Sequence, residues 1–184
     1  MSNTAISVME RHHAACLQAR DALFAEHAAQ LHDAALRLAR VLARQGTVFL
    51  CGIGDAAVRR AARQLTDALA DGYALRRPAL PAVRLDSDDM PRLARRLESL
   101  GMDGDALLVL HQGGEGDAEP LLRAARSMGM ESVGLPCAPS AAAETPLFPL
   151  AALLFFLTDT VARLVEYHLF ENTSALLEEA QEKE

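Results

Sequence analysis

From about Thr4 to Gln45 apolar residues recur at helical spacing, as at Leu31, Ala34, Ala35, Leu38, Val41 and Leu42, and Gly46 supplies a stop. The spacing predicts one long helix or two before any strand. Thr47-Val48-Phe49-Leu50-Cys51 is a short apolar run that enters Gly52-Ile53-Gly54-Asp55, so it reads as a buried strand leading into a tight turn. A helix is expected from Ala56 to about Ala70, with Asp55 as its N-cap. Residues 82–85 form the second strand candidate. A helix from about Asp89 to Leu100 follows, with Asp89 as cap and Pro91 in the first turn. Ala106 to Leu110 is the third strand candidate, closed by His111-Gln112-Gly113-Gly114-Glu115-Gly116, and a helix from about Asp117 to Met128 ends at Gly129. Residues 132–135 give the fourth strand. A loop from Pro136 to Pro146, a long closing helix from about Pro149 to Glu171 or beyond, and a charged tail from Glu178 complete the chain.

Strands alternating with helices predict an α/β fold of three layers, a mainly parallel sheet flanked by helices, with long N- and C-terminal helices. The pattern divides into a helical arm, 1–46, and an α/β unit with its closing helix, 47–184, which together make one structural domain. No internal repeat of fixed period is visible. The run from Leu150 to Leu157 is apolar nearly all round, which is the signature of a helix buried on several sides. One small domain cannot easily surround such a helix, so a homo-oligomer, dimer or tetramer, joined through the terminal helices is expected.

Composition narrows the function classes. The 184 residues suffice for one full core and are short for two. Hydrophobic residues make up 51% and aromatics only 4%, with no Trp, so the core must be built from Ala, Leu and Val, which favours helix. The net charge of -7 argues against direct nucleic-acid binding, which needs clustered positive charge to displace counterions. Arg-rich stretches exist (Arg59, Arg60, Arg63; Arg76, Arg77; Arg92, Arg95, Arg96), and their helical spacing reads as solvated helix faces. The three cysteines, Cys16, Cys51 and Cys137, are far apart and form no metal spacing, which fits a reducing cytoplasm. No signal peptide is expected, because the first residues lack an apolar region. The longest apolar run, Leu147 to Leu157, is about half of the roughly 20 residues a membrane span needs, and it contains Pro149.

In an open parallel sheet, ligands sit beyond the carboxyl ends of strands, at loops that feed helix N-termini. Two loops have that address, Gly52 to Ala57 and His111 to Gly116, and their following helices offer N–H groups to an anion. Glycines that merely make tight strand-to-helix turns would look the same. Of the six histidines, His12, His13, His27 and His32 read as exposed, and His168 suits the C-terminal dipole of the closing helix. Only His111 lies where a ligand is expected, either capping backbone groups in a turn or acting on the ligand. Cys51, at the end of the first strand, reads as buried filler.

The same two loops carry a family resemblance. Cys51-Gly52-Ile53-Gly54-Asp55-Ala56-Ala57 resembles the CGNGGSA loop of bacterial phosphoheptose isomerases, members of the sugar isomerase (SIS) domain family. Arg77-Pro78-Ala79-Leu80-Pro81-Ala82-Val83-Arg84-Leu85 is similar to RPGLPAIAL, Leu100-Gly101-Met102-Asp103-Gly104-Asp105-Ala106-Leu107-Leu108 to LGRPGDVLL, and Ala124 to Val133 to AARELGMTTV. Arg163-Leu164-Val165-Glu166 and Leu169-Phe170 match the closing helix, which also resembles that of a non-enzymatic branch associating with the DnaA replication initiator. The resemblance runs in consistent order from about residue 47 to 170. It implies the SIS fold, tetramers formed through helical arms, and a ligand site at Gly52, Gly54, Asp55, Ala56, His111, Gln112, Gly113, Gly114 and Glu115.

The departures from the family fall on its functional residues. Where the first loop offers Asn and Ser, this chain has Ile53 and Ala56, with Asp55 beside them. The STSGNS loop is matched by His111 to Gly116, which has no hydroxyl. Asp55 and Glu115 bring negative charge to a phosphate site, and two like charges about 4 Å apart repel by about 4 kcal/mol at an effective dielectric of about 20. Aldose–ketose isomerisation needs a general acid and base. The family's Glu and His, and a zinc set of His, Glu and Gln in some members, correspond to Ala62, Thr66, Ala151 and Asp159. The segment between Asp88 and Gly101 and the one after Leu135 are also shorter than in the family. The resemblance and these losses together imply a phosphosugar-binding-type protein, cytoplasmic, with no catalytic pair, no cofactor and no metal, acting as a binding or regulatory homolog. Two alternatives stay open: a divergent sedoheptulose 7-phosphate isomerase that recruits Asp55, His111 and Glu115, and a replication regulator with a protein partner.

Overall fold

A computed structural model describes residues 28–71, 79–87, 89–112, 115–136 and 159–165, together with single helical positions at 14, 18, 21 and 25; of Glu115 only the backbone is described. The loop and helix expected over 137–158, the tail from 166 on, and Cys16, Cys137, His12, His13, His27 and His168 lie outside the described residues. Helix α1 occupies 28–43 and turns out through Gln45, whose φ is 64°. Then come β1 (Val48–Ile53), α2 (Ala56–Ala70), β2 (Ala82–Arg84), α3 (Met90–Leu100), β3 (Ala106–His111), α4 (Glu115–Ser127) and β4 (Glu131–Pro136). A last helix, α5, is described over 159–165. β1, β3 and β4 run one or two residues longer than the apolar pattern predicts, β2 one residue shorter, and α4 starts before Asp117, at Glu115.

All pairings are parallel, in the order β2-β1-β3-β4. The hydrophobic run Ala106-Leu107-Leu108-Val109-Leu110-His111 is buried throughout, as a strand covered on both faces must be. Alternate residues of the central strands point to opposite sides. Val48, Leu50, Ala106, Leu108 and Leu110 pack with α1, α2 and α5; Phe49, Cys51, Leu107 and Val109 pack with α3 and α4. The chain leaves β1 in one direction along the sheet and crosses back past it to reach β3. Right-handed crossovers therefore place α2 on one face and α3 and α4 on the other, which gives the three layers.

Local polar contacts set the junctions. Asp105, buried ahead of β3, accepts from the Thr47 N–H at 2.8 Å and from the Met102 N–H at 2.9 Å, so one carboxylate holds the entries of both central strands together. Asp89 occupies the N-cap position of α3, as expected, with Pro91 in the first turn, but its side chain caps nothing. The Asp89 N–H instead donates to Ser87 Oγ at 3.0 Å. Burial makes Cys51 a packing residue and pushes its thiol up to about 12. No helix among the described residues is long and apolar enough to cross a membrane.

Candidate functional site

Between β1 and β3 the strand order reverses, which is where an open α/β sheet splays its carboxyl-end loops apart and opens a crevice. Both predicted loops sit there. Ile53 and His111 are in register as the last paired residues of these strands. Gln112 then closes the crevice from within. Its N–H donates to Ile53 O at 3.0 Å, and its side-chain Oε1 accepts from the Asp55 N–H at 3.1 Å. Gly54 makes this approach possible: its φ is 139°, and a Cβ there would lie 2.8 Å from Gln112 Cβ.

Asp55 turns its carboxylate onto its own helix. Oδ1 accepts from the Ala57 N–H at 2.8 Å and the Val58 N–H at 3.0 Å, which is the N-cap the sequence predicts. The amides that would hold a phosphate at this helix N-terminus are thus already occupied by a resident anion. The Val58 N–H chiefly, against some desolvation, and then Ala57, the Gln112 amide and the Arg59 charge, hold the Asp55 carboxyl below its ordinary value. A depressed carboxyl adds stability above the unfolded value of 3.8 and loses it as pH falls through the lower folded value. The stability gap between the native chain and Asp55→Ala, read from urea unfolding, is accordingly expected to be full at pH 7 and to close on acidification below 3.8.

The other predicted positions divide. Gly52 is a packing glycine, because a Cβ there would meet α2 backbone at Val58 O, 2.7 Å, and Arg59 Cα, 2.8 Å. Ala56 is exposed at the start of α2. His111 is the last residue of β3, only 2% exposed, with Nε2 3.7 Å from where a Gly134 Cβ would lie. It is a strand residue packed over β4, whereas the sequence suggested a turn. Gly113, Gly114 and the Glu115 side chain lie outside the described residues.

One feature escaped the sequence reading. A cleft of about 430 Å³ opens beside the first turns of α2, lined by Ala56, Arg59, Arg60, Arg63, Asp86 and Ser87. Arginines read as a solvated face therefore border a concavity shared with Ala56. The signal was present in the spacing 56, 59, 60, 63, a single helical stripe. What faced that stripe was not.

No protein-family model matches the chain. A phosphoheptose isomerase of Desulfovibrio desulfuricans is 30% identical over 200 aligned positions, covering 96% of this chain and 94% of its own length. The chain belongs to the phosphoheptose isomerase family. A phosphoheptose isomerase of Solidesulfovibrio magneticus is 29% identical over 181 positions, covering 91% and 86%. Solved phosphoheptose isomerase structures from Francisella tularensis and Neisseria gonorrhoeae superpose with TM-scores of 0.65 and 0.63 at 17% and 13% identity. They cover 90% and 87% of this chain and 100% and 98% of their own, which shows the SIS fold.

The two α2 positions that the resemblance sets against the family's acid and base are packing residues. Ala62 and Thr66 are buried, and Thr66 donates its hydroxyl back to Ala62 O at 2.8 Å. The buried face of α2 (Val58, Ala61, Ala62, Leu65, Thr66 and Leu69) carries neither carboxylate nor imidazole. Asp159 is paired with Arg163 at 2.8 Å, one turn along α5. Ala151 lies outside the described residues. Among those described, no three His, Cys, Asp or Glu side chains gather as metal ligands.

Proposed function

We propose that this family member binds a phosphosugar-type ligand without isomerising it, and serves as a cytoplasmic binding or regulatory homo-oligomer joined through its terminal helices. The observation that carries the reading is the buried face of α2. Moving a proton between the two carbons of an aldose–ketose pair needs a general acid and base within reach of substrate. Helix α2 puts only alkyl groups and a self-bonded Thr66 where the family's pair belongs. Because Asp55 occupies the N-terminal amides of α2, the phosphate of such a ligand is held elsewhere than at that helix end.

Sedoheptulose 7-phosphate incubated with pure protein at pH 7.5 (a pH of about neutral suits an imidazole or carboxylate pair) is expected to show no interconversion above the protein-free rate when followed by NMR. Turnover that disappears in His111→Ala would overturn the proposal in favour of a divergent isomerase built on Asp55, His111 and Glu115.

A further inference from the structure

The cleft beside α2 combines three guanidiniums on one stripe with a short loop beyond β2. Among the described residues its one lining carboxylate, Asp86, is engaged by Arg84 at 2.6 Å, and Arg96 donates to Asp86 O at 3.4 Å. The acid therefore does not neutralise the stripe. Arg59 is anchored, its Nη1 donating to Gly54 O at 3.0 Å. Arg60 and Arg63 are exposed and make no ion pair among the described residues. Ser87, which lines the cleft, accepts at Oγ from the Asp89 N–H, and a hydroxyl that accepts still carries a donor proton.

We propose that Arg60 and Arg63, flanked by Arg59 and Ser87, form the anion site of this protein, for the phosphate of a small phosphomonoester. Guanidiniums present paired N–H donors that match phosphate oxygens, and a serine hydroxyl adds a neutral donor. The volume suits a small molecule. Its rim is shared with Ala56, so the remainder of the ligand extends toward the crevice between β1 and β3. This deepens the binding reading above and rests on it only for the ligand class. The site moves phosphate recognition one turn along α2, away from the amides that Asp55 occupies.

Titration calorimetry with ribose 5-phosphate, inorganic phosphate and unphosphorylated ribose tests the site. Ribose 5-phosphate and phosphate are expected to bind and ribose is not. The double variant Arg60→Ala/Arg63→Ala should weaken both by about tenfold, a modest figure for two charged donors because exposed guanidiniums are solvent-screened. Arg60→Lys/Arg63→Lys, which keeps the charge and loses the fork, should fall between, and Arg123→Ala on α4 should bind as the native chain does. Both arginines are exposed, so the variants should unfold at the native urea midpoint. Native affinity in the double alanine variant would overturn the site, as would binding of a short duplex DNA that ribose 5-phosphate fails to displace. Isomerase turnover with arginine-dependent binding would overturn the catalytic silence and leave the site standing.

Discussion

Gly52→Ala is expected to destabilise the protein by about 3 kcal/mol, at the upper end of what overpacking by one methyl costs. The added Cβ would sit 2.7 Å from Val58 O and 2.8 Å from Arg59 Cα. Both are backbone atoms of a helix, and neither can swing aside as a side-chain terminus could. Relief requires α2 to slide off β1, and with it the core formed by Val58, Ala61, Leu65 and Leu69. Against a total stability of about 5–15 kcal/mol this is a large fraction. Gly116→Ala is the contrast: nothing lies within 4 Å of its Cβ, and helix propensity there favours alanine by up to about 1 kcal/mol. Urea unfolding midpoints separate the two. A Gly52→Ala chain of native stability that had lost only ribose 5-phosphate binding would show that the glycine serves ligand approach instead of packing.

Asp105→Ala should cost a comparable amount, about 2–4 kcal/mol, by removing two charge-assisted hydrogen bonds at once. Thr47 N–H and Met102 N–H lose their acceptors in a part-buried corner beneath Asp105. Asp105→Asn retains one acceptor oxygen but turns an NH2 toward the second N–H, so roughly half the loss is expected. Amide exchange localises the effect. Protection at Thr47 and Met102 should fall most in the alanine variant, ahead of any change in β4. Uniform loss of protection across the sheet would mean instead that Asp105 supports the fold only globally.

These two positions show how the sequence was legible and where it stopped. The start of helix α2 is legible from sequence, because Asp55 begins it with a cap and its apolar spacing is strict. The ends of β2 and α3 were read nearly as well, since prolines and glycines punctuate them. Gly52 and Asp105 were visible as residues but not in their roles. A glycine in a strand-to-helix turn looks identical whether it admits a ligand or a helix. Asp105, in a turn-rich stretch, gives no sign that it reaches Thr47, 58 residues earlier. Asp89 shows the converse, a strong local cap signal whose side chain makes no cap hydrogen bond.

For the candidate site the balance is similar. The address at the carboxyl ends of β1 and β3 followed from the alternation of elements, and the structure brings Ile53, Asp55, His111 and Gln112 together there. The arginine cleft did not follow. A stripe at 56, 59, 60 and 63 is local, but the loop opposite it arrives from beyond β2.

The sequence alone determined the order of strands and helices along the chain, the three-layer class and the family resemblance. All of these depend on periodicity, caps and motif order within a short window of chain. Only the tertiary structure decided that Gln112 bridges the two loops, that Asp55 spends its carboxylate on its own helix, that Gly52 serves packing, and that three arginines face a concavity. The physical reason is separation along the chain. Asp55 and Gln112 are 57 residues apart and meet only because β1 and β3 are neighbours in a parallel sheet, a pairing between segments that lie far apart along the chain.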